Sequence, residues 1–492
     1  MNRIRPFLFW LFVVIFLSTT SSVLFYTFGY RFNFERGIFV YTGSISIKST
    51  PEKVDISVDG ELIPQKKLGI LNQSIHIGGL TPGEHMIEVT APGYTTWSKK
   101  TTIQSGLSTE FWNVLLVKTE NTKEDVEHTE NAKRIFQSRD KWILAVAKEK
   151  DNLFMVDIVN TDTHTSNTVF SFPAVSLPED TKENIEWSPD NKKLLIPVTK
   201  NNEREYFIVD IATKAMFSLG EKVNTTEVGI IQTPRWDPSN KNGLLYMKNH
   251  ILYRMNTASP EQEPVILKEN VKSYNFSGED IYYLQSDNGV IYRFFGNNPN
   301  EKPTQISTTT IPLIDQSEYT LILYDATRLT LREEKTGKLW LYNDTHQDSE
   351  RTPLKEIAEK DIDGVQFSDD GKKLLFFSKN EIFVYFLRDW EAQPIRMKDT
   401  SLQIARFSNI CKNIIWDEDY EHVLLSIDDT VKIIEIDHRD KRNIMDLVKL
   451  PGHILQILPR TEENFLYFTV DGMKGNTVSR MVLSEKTNIF GL

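Results

Sequence analysis

The sequence predicts an all-β chain on one N-terminal transmembrane helix: a small β-sandwich, then a seven- or eight-bladed β-propeller. Three observations predict it. A turn phrase recurs through the second part of the chain. A run of short alternating strands precedes it. Residues 7–28 carry no charge.

The phrase is an aromatic residue, a short polar turn, then two or three apolar residues. It reads Trp187-Ser188-Pro189-Asp190-Asn191-Lys192-Lys193-Leu194-Leu195-Ile196. It returns from Trp236, from Phe276, from Phe367 (Phe367-Ser368-Asp369-Asp370-Gly371-Lys372-Lys373) and from Trp416 (Trp416-Asp417-Glu418-Asp419-Tyr420), with a degenerate copy near Leu458-Pro459. A period of roughly 40–50 residues rich in short strands is that of propeller blades. Pro presets φ in the turn, Asn or Gly tolerates φ > 0, and Asp or Ser bonds back to the turn amides. The apolar run suits a strand buried on both faces, and the aromatic would fill the space between adjacent sheets.

At 492 residues, two or three domains are expected. With 68 acidic against 57 basic residues, the net charge is -11, which argues against a nucleic-acid partner. The single cysteine, Cys411, cannot form an intramolecular disulfide and reads as a buried thiol.

Residues 1–6 form a short N-terminal segment and residues 7–28 the helix. Twenty-two uncharged residues at about 1.5 Å each cover the roughly 30 Å hydrocarbon core. Arg3 and Arg5 lie before the span; Arg31 and Arg36, offset by Glu35, lie after it. The N-terminus is then cytoplasmic and the bulk of the chain outside, at the cell surface or in a periplasm. The rival is a cleaved signal peptide, since a small-residue patch covers Ser18 to Ser22. The apolar run resumes at Val23, which favours an uncleaved signal anchor. Both readings export the same domains.

Residues 42–118 carry about seven strand-like segments. Ser44 to Lys48, Val54 to Val58 and His85 to Thr90 alternate, and Asp59-Gly60 signals a hairpin. Leu80-Thr81-Pro82-Gly83-Glu84-His85 and Ala91-Pro92-Gly93-Tyr94 are further turns. With Pro51-Glu52-Lys53-Val54, these elements resemble the PEGA domain, a β module common on bacterial surface proteins. The Gly-Ala half of that family's opening turn is absent here. The resemblance implies a non-catalytic module associated with the cell envelope. Residues 119–131, with five acidic side chains between Glu120 and Glu130, read as a solvated acidic linker.

Residues 132–492 give eight candidate units. Two lack the phrase: one around Lys141-Trp142-Ile143 and one around Tyr319 to Tyr324 with Lys338 to Tyr342. The Ser-Pro-Asp and Ser-Asp-Asp-Gly-Lys turns resemble TolB-like and WD-type propellers, families that mainly bind proteins or peptides.

No zinc, phosphate-loop, nucleophile-elbow or Cys-x-x-Cys pattern occurs. His164, His250, His346, His422 and His438 do not pair at ligand spacing. Asp361-Ile362-Asp363-Gly364 and Asp369-Asp370-Gly371 lack the closing Glu of a calcium loop and read as turns, as does Asp428-Asp429. Asn72-Gln73-Ser74, Asn224-Thr225-Thr226, Asn275-Phe276-Ser277 and Asn343-Asp344-Thr345 match the glycosylation triplet, which arises often by chance. Trp97 and Trp112 are core packing or a sugar-stacking platform. No catalytic, cofactor-binding or metal residue is assigned, and no cofactor. The expected function is that of a non-enzymatic, membrane-anchored, extracytoplasmic binding or scaffold protein. Its partners are the membrane, through the helix, and an envelope protein, peptide or glycan. The alternative is a propeller hydrolase or lyase with carboxylates in the central funnel.

Overall fold

Helix α1 (Ile4–Thr27) opens the computed structural model, which describes residues 4–33, 37–64, 74–139, 143–178, 183–223, 229–344, 353–460, 465–472 and 475–482. Its stretch Phe7–Thr27 is long and apolar enough to cross a membrane by length and composition, and none of it is buried. The small-residue patch stays helical because Thr19 donates its hydroxyl to the Ile15 carbonyl (2.7 Å), satisfying itself within the helix. A two-stranded hairpin, β1 (Tyr30–Asn33) and β2 (Ile38–Tyr41), follows directly.

Seven strands come next: β3 (Gly43–Thr50), β4 (Asp55–Val58), β5 (Glu61–Leu62), β6 (Ile75–Leu80), β7 (Gly83–Thr90), β8 (Trp97–Ile103) and β9 (Ser108–Leu115). They make two sheets, ordered β6-β3-β9 and β5-β4-β7-β8, with β9 parallel to β3. Ile45, Ile47, Ile56, Ile87, Val89, Trp97 and Phe111 share one core between the sheets. Two of the turn elements read from the sequence meet in space. Asp59 accepts the Met86 amide (2.8 Å), and His85 bridges Asp59 (2.6 Å) and the Thr81 carbonyl (2.7 Å).

Beyond Val117 the described residues hold eight four-stranded sheets, every pairing antiparallel. In chain order they span 132–173, 186–218, 231–268, 271–305, 319–358, 364–406, 411–449 and 452–482; we number them sheets 1 to 8. The first strands of successive sheets lie against each other. Tyr274 donates to the Thr233 carbonyl (2.6 Å), and the Asn275 amide donates to the Leu321 carbonyl (2.7 Å). Apolar clusters run between neighbouring sheets. One such cluster joins Tyr467 and Val478 of sheet 8 to Ile135, Leu144 and Val146 of sheet 1. Consecutive antiparallel sheets packed face to face, first strands inward, make a β-propeller.

The recurring phrase builds the seams. Trp187, Trp236 and Trp416 are buried. Each indole donates to a first-strand carbonyl of the preceding sheet: Phe136 (3.1 Å), Glu186 (3.0 Å) and Gln366 (3.2 Å). The aromatic therefore fills the gap between sheets and also closes a polar contact across it. The residue four places on needs a left-handed backbone: Asn191 (φ 56°), Gly371 (φ 63°) and Tyr420 (φ 51°). A Cβ on Gly371 would meet Arg328 and Tyr324, so this turn requires glycine doubly.

Two expectations need correcting. The segment read as a solvated linker supplies β10 (Lys123–Asp125), the outer strand of sheet 8, paired with the last strand, Gly475–Val482. All three side chains are exposed, so no apolar stripe marks it; the pairing is carried by backbone, by Ser479 donating to Asp125 (2.6 Å) and by Arg480 on Glu124 (3.2 Å). Sheet 5, read as lacking the phrase, carries a contracted copy, Tyr324-Asp325-Ala326-Thr327-Arg328. There Thr327 donates to Asp325 (2.9 Å), and Arg328 reaches the Gly371 carbonyl of sheet 6. Lys141, Trp142, Asn72, Gln73, residues 224–226, Thr345 and His346 lie outside the described residues.

Candidate functional site

The inward first strands of sheets 2 to 5 border a cavity of about 630 Å³, a volume typical of ligand sites. Its apolar lining includes Ile185, Ile230, Ile231, Pro234, Met247 and Leu321. Ile230 is 78% exposed, a large apolar side chain at a cavity mouth. Three carboxylates and two arginines line it, and Glu183 and Glu186 are each neutralised by one of the arginines while Glu318 stands as a third acid. Glu183 pairs with Arg204 (3.0 Å) and accepts the Tyr206 hydroxyl (2.7 Å). Glu186 takes Arg235 on both oxygens (3.1 and 3.2 Å). Tyr274 is held by the Thr233 carbonyl, and burial pushes its phenol well up from the ordinary value. Ser317 donates to the fully buried Glu333, which also accepts the Lys335 and Thr336 amides (2.9 and 2.7 Å). Lys272 is the lining cation that no hydrogen bond or ion pair among the described residues engages. The cavity offers a wall of mixed polar and apolar side chains and one uncommitted positive charge. Its paired carboxylates are committed to arginine, not poised for acid–base work.

The second feature is the junction between the N-terminal module and sheets 6 and 7. The buried face of β8 carries Trp97, Lys99, Thr101 and Ile103. Lys99 is 0% exposed and Glu435, its ion partner, 5%. The ammonium also donates to the carbonyls of Asp437 and Arg439 (both 2.9 Å). Trp97 donates to Glu435 (2.9 Å), and the Asn443 amide contacts it at 3.2 Å. Gln393 bonds the β9 backbone twice, at Glu110 N (3.1 Å) and Ser108 O (2.8 Å). The Arg439 guanidinium lies 4.1 Å from the Phe111 ring centre. Trp97 is thus core and junction together. Trp112 borders the same junction cavity as Trp97, its indole donating to Glu110 (3.0 Å).

The third feature is the turn of sheet 7. In four other turns one hydroxyl and one carboxylate pair: Ser188 with Asp190 (2.8 Å), Ser239 with Asp237 (2.6 Å), Thr327 with Asp325 (2.9 Å), Ser368 with Asp370 (2.6 Å). In sheet 7 both positions are acids, Asp417 and Asp419, and His422 joins them. The His422 ring, 1% exposed, lies 2.6 Å from Asp419. These are the three groups, among the described residues, close enough to share a metal ion. The His422–Asp419 hydrogen bond already engages two of them. Burial and the neighbouring Asp419 carboxylate push Asp417 up to about 7. Burial opposes charge on His422, but the Asp419 carboxylate overrides it and lifts the ring to about 9.

Other residues singled out in the sequence fall in structural roles. Cys411 is buried, and burial pushes its thiol up to about 11. The amides of Asn275 and Asn343 are spent on the carbonyls of Leu321 and Leu387. Asp361 and Asp428 sit at left-handed turn positions (φ 64° and 52°).

No family model matches the chain, and no curated protein matches it. Solved structures resemble it at low identity. The Dos1 propeller gives a TM-score of 0.48 at 13% identity, over 73% of this chain and 95% of that one. A structure described as the eukaryotic initiation factor gives 0.46 at 13%, over 75% and 89%. Sqt1 of Saccharomyces cerevisiae gives 0.45 at 10%, over 74% and 99%.

Proposed function

We propose that the chain is a non-catalytic, membrane-anchored binding protein whose propeller captures a segment of an envelope protein in the inner cavity. Residues 7–28 anchor it, with the N-terminus inside and the bulk of the chain outside the cytoplasm. Residues 42–118 are a PEGA-like sandwich and 132–492 an eight-bladed propeller. Residues 119–131 contribute the strand that closes the ring onto blade 8. The contact of Gln456 with both backbone groups of Ile135 (2.8 and 2.9 Å) supports that closure.

The observation that carries the binding reading is the cavity's composition: apolar side chains interleaved with polar ones, Glu183 and Glu186 each paired with an arginine, and Lys272 uncommitted. That lining fits an extended peptide of mixed polar and apolar side chains bearing one carboxylate opposite Lys272. The module, fixed by Lys99, holds the propeller in one orientation above the membrane.

The test places a photo-crosslinking amino acid at Ile230 in the full chain in native membranes, with Met216 as an outer-edge control. One dominant adduct from position 230, absent from position 216, is the expected result. Lys272→Glu should lower its yield about tenfold, the effect of about 1.4 kcal/mol. Equal labelling from both positions, or no effect of Lys272→Glu, would remove the reading.

A further inference from the structure

The β1–β2 hairpin is aromatic on one face. Its register sets Tyr30 opposite Tyr41 and Phe32 opposite Phe39, and opposed residues of an antiparallel pair share a face. The rings touch, with centroids 5.0 Å apart for Tyr30 and Tyr41 and 5.2 Å for Phe32 and Phe39. Phe25, on the last turns of α1, packs on Tyr30 (5.5 Å) and Phe39 (5.8 Å). All five rings are exposed, Phe39 by 60%. The other face carries Arg31 opposite Val40. Arg31 folds back on the helix end: its guanidinium donates to the Tyr26 carbonyl (2.9 Å) and lies 3.6 Å from the Tyr26 ring centre.

An isolated two-stranded hairpin is marginal in water, and so is a cluster of exposed aromatic rings. Something covers this face. Its position says what. The hairpin begins three residues after α1 ends and is tied to it by Phe28 N on the Leu24 carbonyl (2.9 Å) and Gly29 N on the Tyr26 carbonyl (3.1 Å). A 21-residue uncharged, predominantly apolar helix fills the hydrocarbon core, so whatever adjoins its end lies in the headgroup layer, about 5–8 Å thick on each side. Tyr and Phe rings prefer that layer, and an arginine at its edge keeps its charge in the wet zone.

We propose that the β1–β2 hairpin is a second, interfacial membrane anchor, its aromatic face seated on the lipid headgroup–acyl boundary. This rests on the reading of α1 as a membrane span. A helix alone leaves rotation about its axis free. A hairpin lying flat on the lipid beside it fixes that rotation, and hence the direction the module and propeller face.

The test uses the full chain with Cys411→Ser in phosphatidylcholine–phosphatidylglycerol vesicles. A nitroxide is attached in turn at Phe39→Cys, at Phe16→Cys in mid-helix, and at Val265→Cys on an exposed propeller strand. Collision rates with oxygen and with a water-soluble nickel chelate report depth. The expected result is a Phe39 label at least about tenfold less accessible to nickel than the Val265 label and shallower than the Phe16 label. Nickel access equal to that at Val265, with Phe16 in lipid, overturns the hairpin proposal and leaves the span. A Phe16 label in water overturns the span and the proposal together. A Phe39 label shielded from both reagents and broadened by a neighbouring spin places a second copy there instead, and also overturns it.

Discussion

Lys99→Met is expected to destabilise the chain by about 3–5 kcal/mol, the loss seen when one member of a buried ion pair is removed. Lys99 is fully buried and makes two carbonyl hydrogen bonds besides its contact with Glu435. Methionine keeps the stem and its packing, so the lost part is charge and donors. Glu435 then remains in the junction with Trp97 and Asn443 as donors but without its ion-pair partner. Exchange of amide hydrogens should accelerate along β8 and residues 435–443 while sheets 2 to 5 stay protected. Adding Glu435→Gln should restore part of the loss, because the stranded charge is gone. A coupling of about 1–3 kcal/mol in the double-mutant cycle is expected. If Lys99→Met leaves both the unfolding midpoint and exchange at β8 unchanged, the ion pair does not hold the junction.

That junction lay beyond the reach of sequence reading, and the reason is physical. Trp97 and Glu435 are separated by 338 positions, and neither sits in a motif. The hint was available in β8, where a lysine occupies the inward phase of an alternating strand. What sequence does expose is local chemistry that repeats. The turn phrase was legible because most copies reuse an aromatic followed by an oxygen pair, and those at Asn191, Gly371 and Tyr420 share a left-handed position. Where the turn contracts, as at Tyr324 to Arg328, spacing fails although the Asp325–Thr327 pair persists. Where every side chain of the strand is exposed and polar, as at Lys123–Asp125, no apolar pattern announces it. The cavity was hidden differently. Glu186, Arg235, Lys272 and Leu321 each come from a different sheet, and only the packing of four successive sheets brings them to one place.

Asp417→Ser should stabilise the protein above neutral pH and leave it nearly unchanged near pH 4. The turns at Ser188 and Ser368 show why a hydroxyl suits this position. There one proton lies between two oxygens, donated by serine to the aspartate two residues on. With Asp417 the proton must come from the carboxyl itself. Burial and Asp419 raise its pKa to about 7, so below neutrality the protonated acid takes the serine's part. A group whose folded pKa is raised gives stability that is full below its unfolded pKa and lost as pH climbs to the folded one. For Asp417 that window runs from about 4 to 7. For His422, raised to about 9, the stability is full below about 6.5 and lost by about pH 9. Asp419 is the opposite case. Burial would raise it, but the His422 ring holds it below the usual carboxylate range, and its share is lost only in acid. Between pH 6 and 9 the native chain should therefore lose about 1–3 kcal/mol, moderated because Asp419 keeps 31% of its side chain in water. Asp417→Ser removes the carboxylate repulsion and should gain about 1–2 kcal/mol at pH 8.5, read as a higher unfolding midpoint, with little change at pH 4. The reciprocal variant, Ser368→Asp, should install the same pH dependence in sheet 6 beside Asp370. Parallel pH profiles for Asp417→Ser and the native chain would show that the two carboxylates do not share a proton.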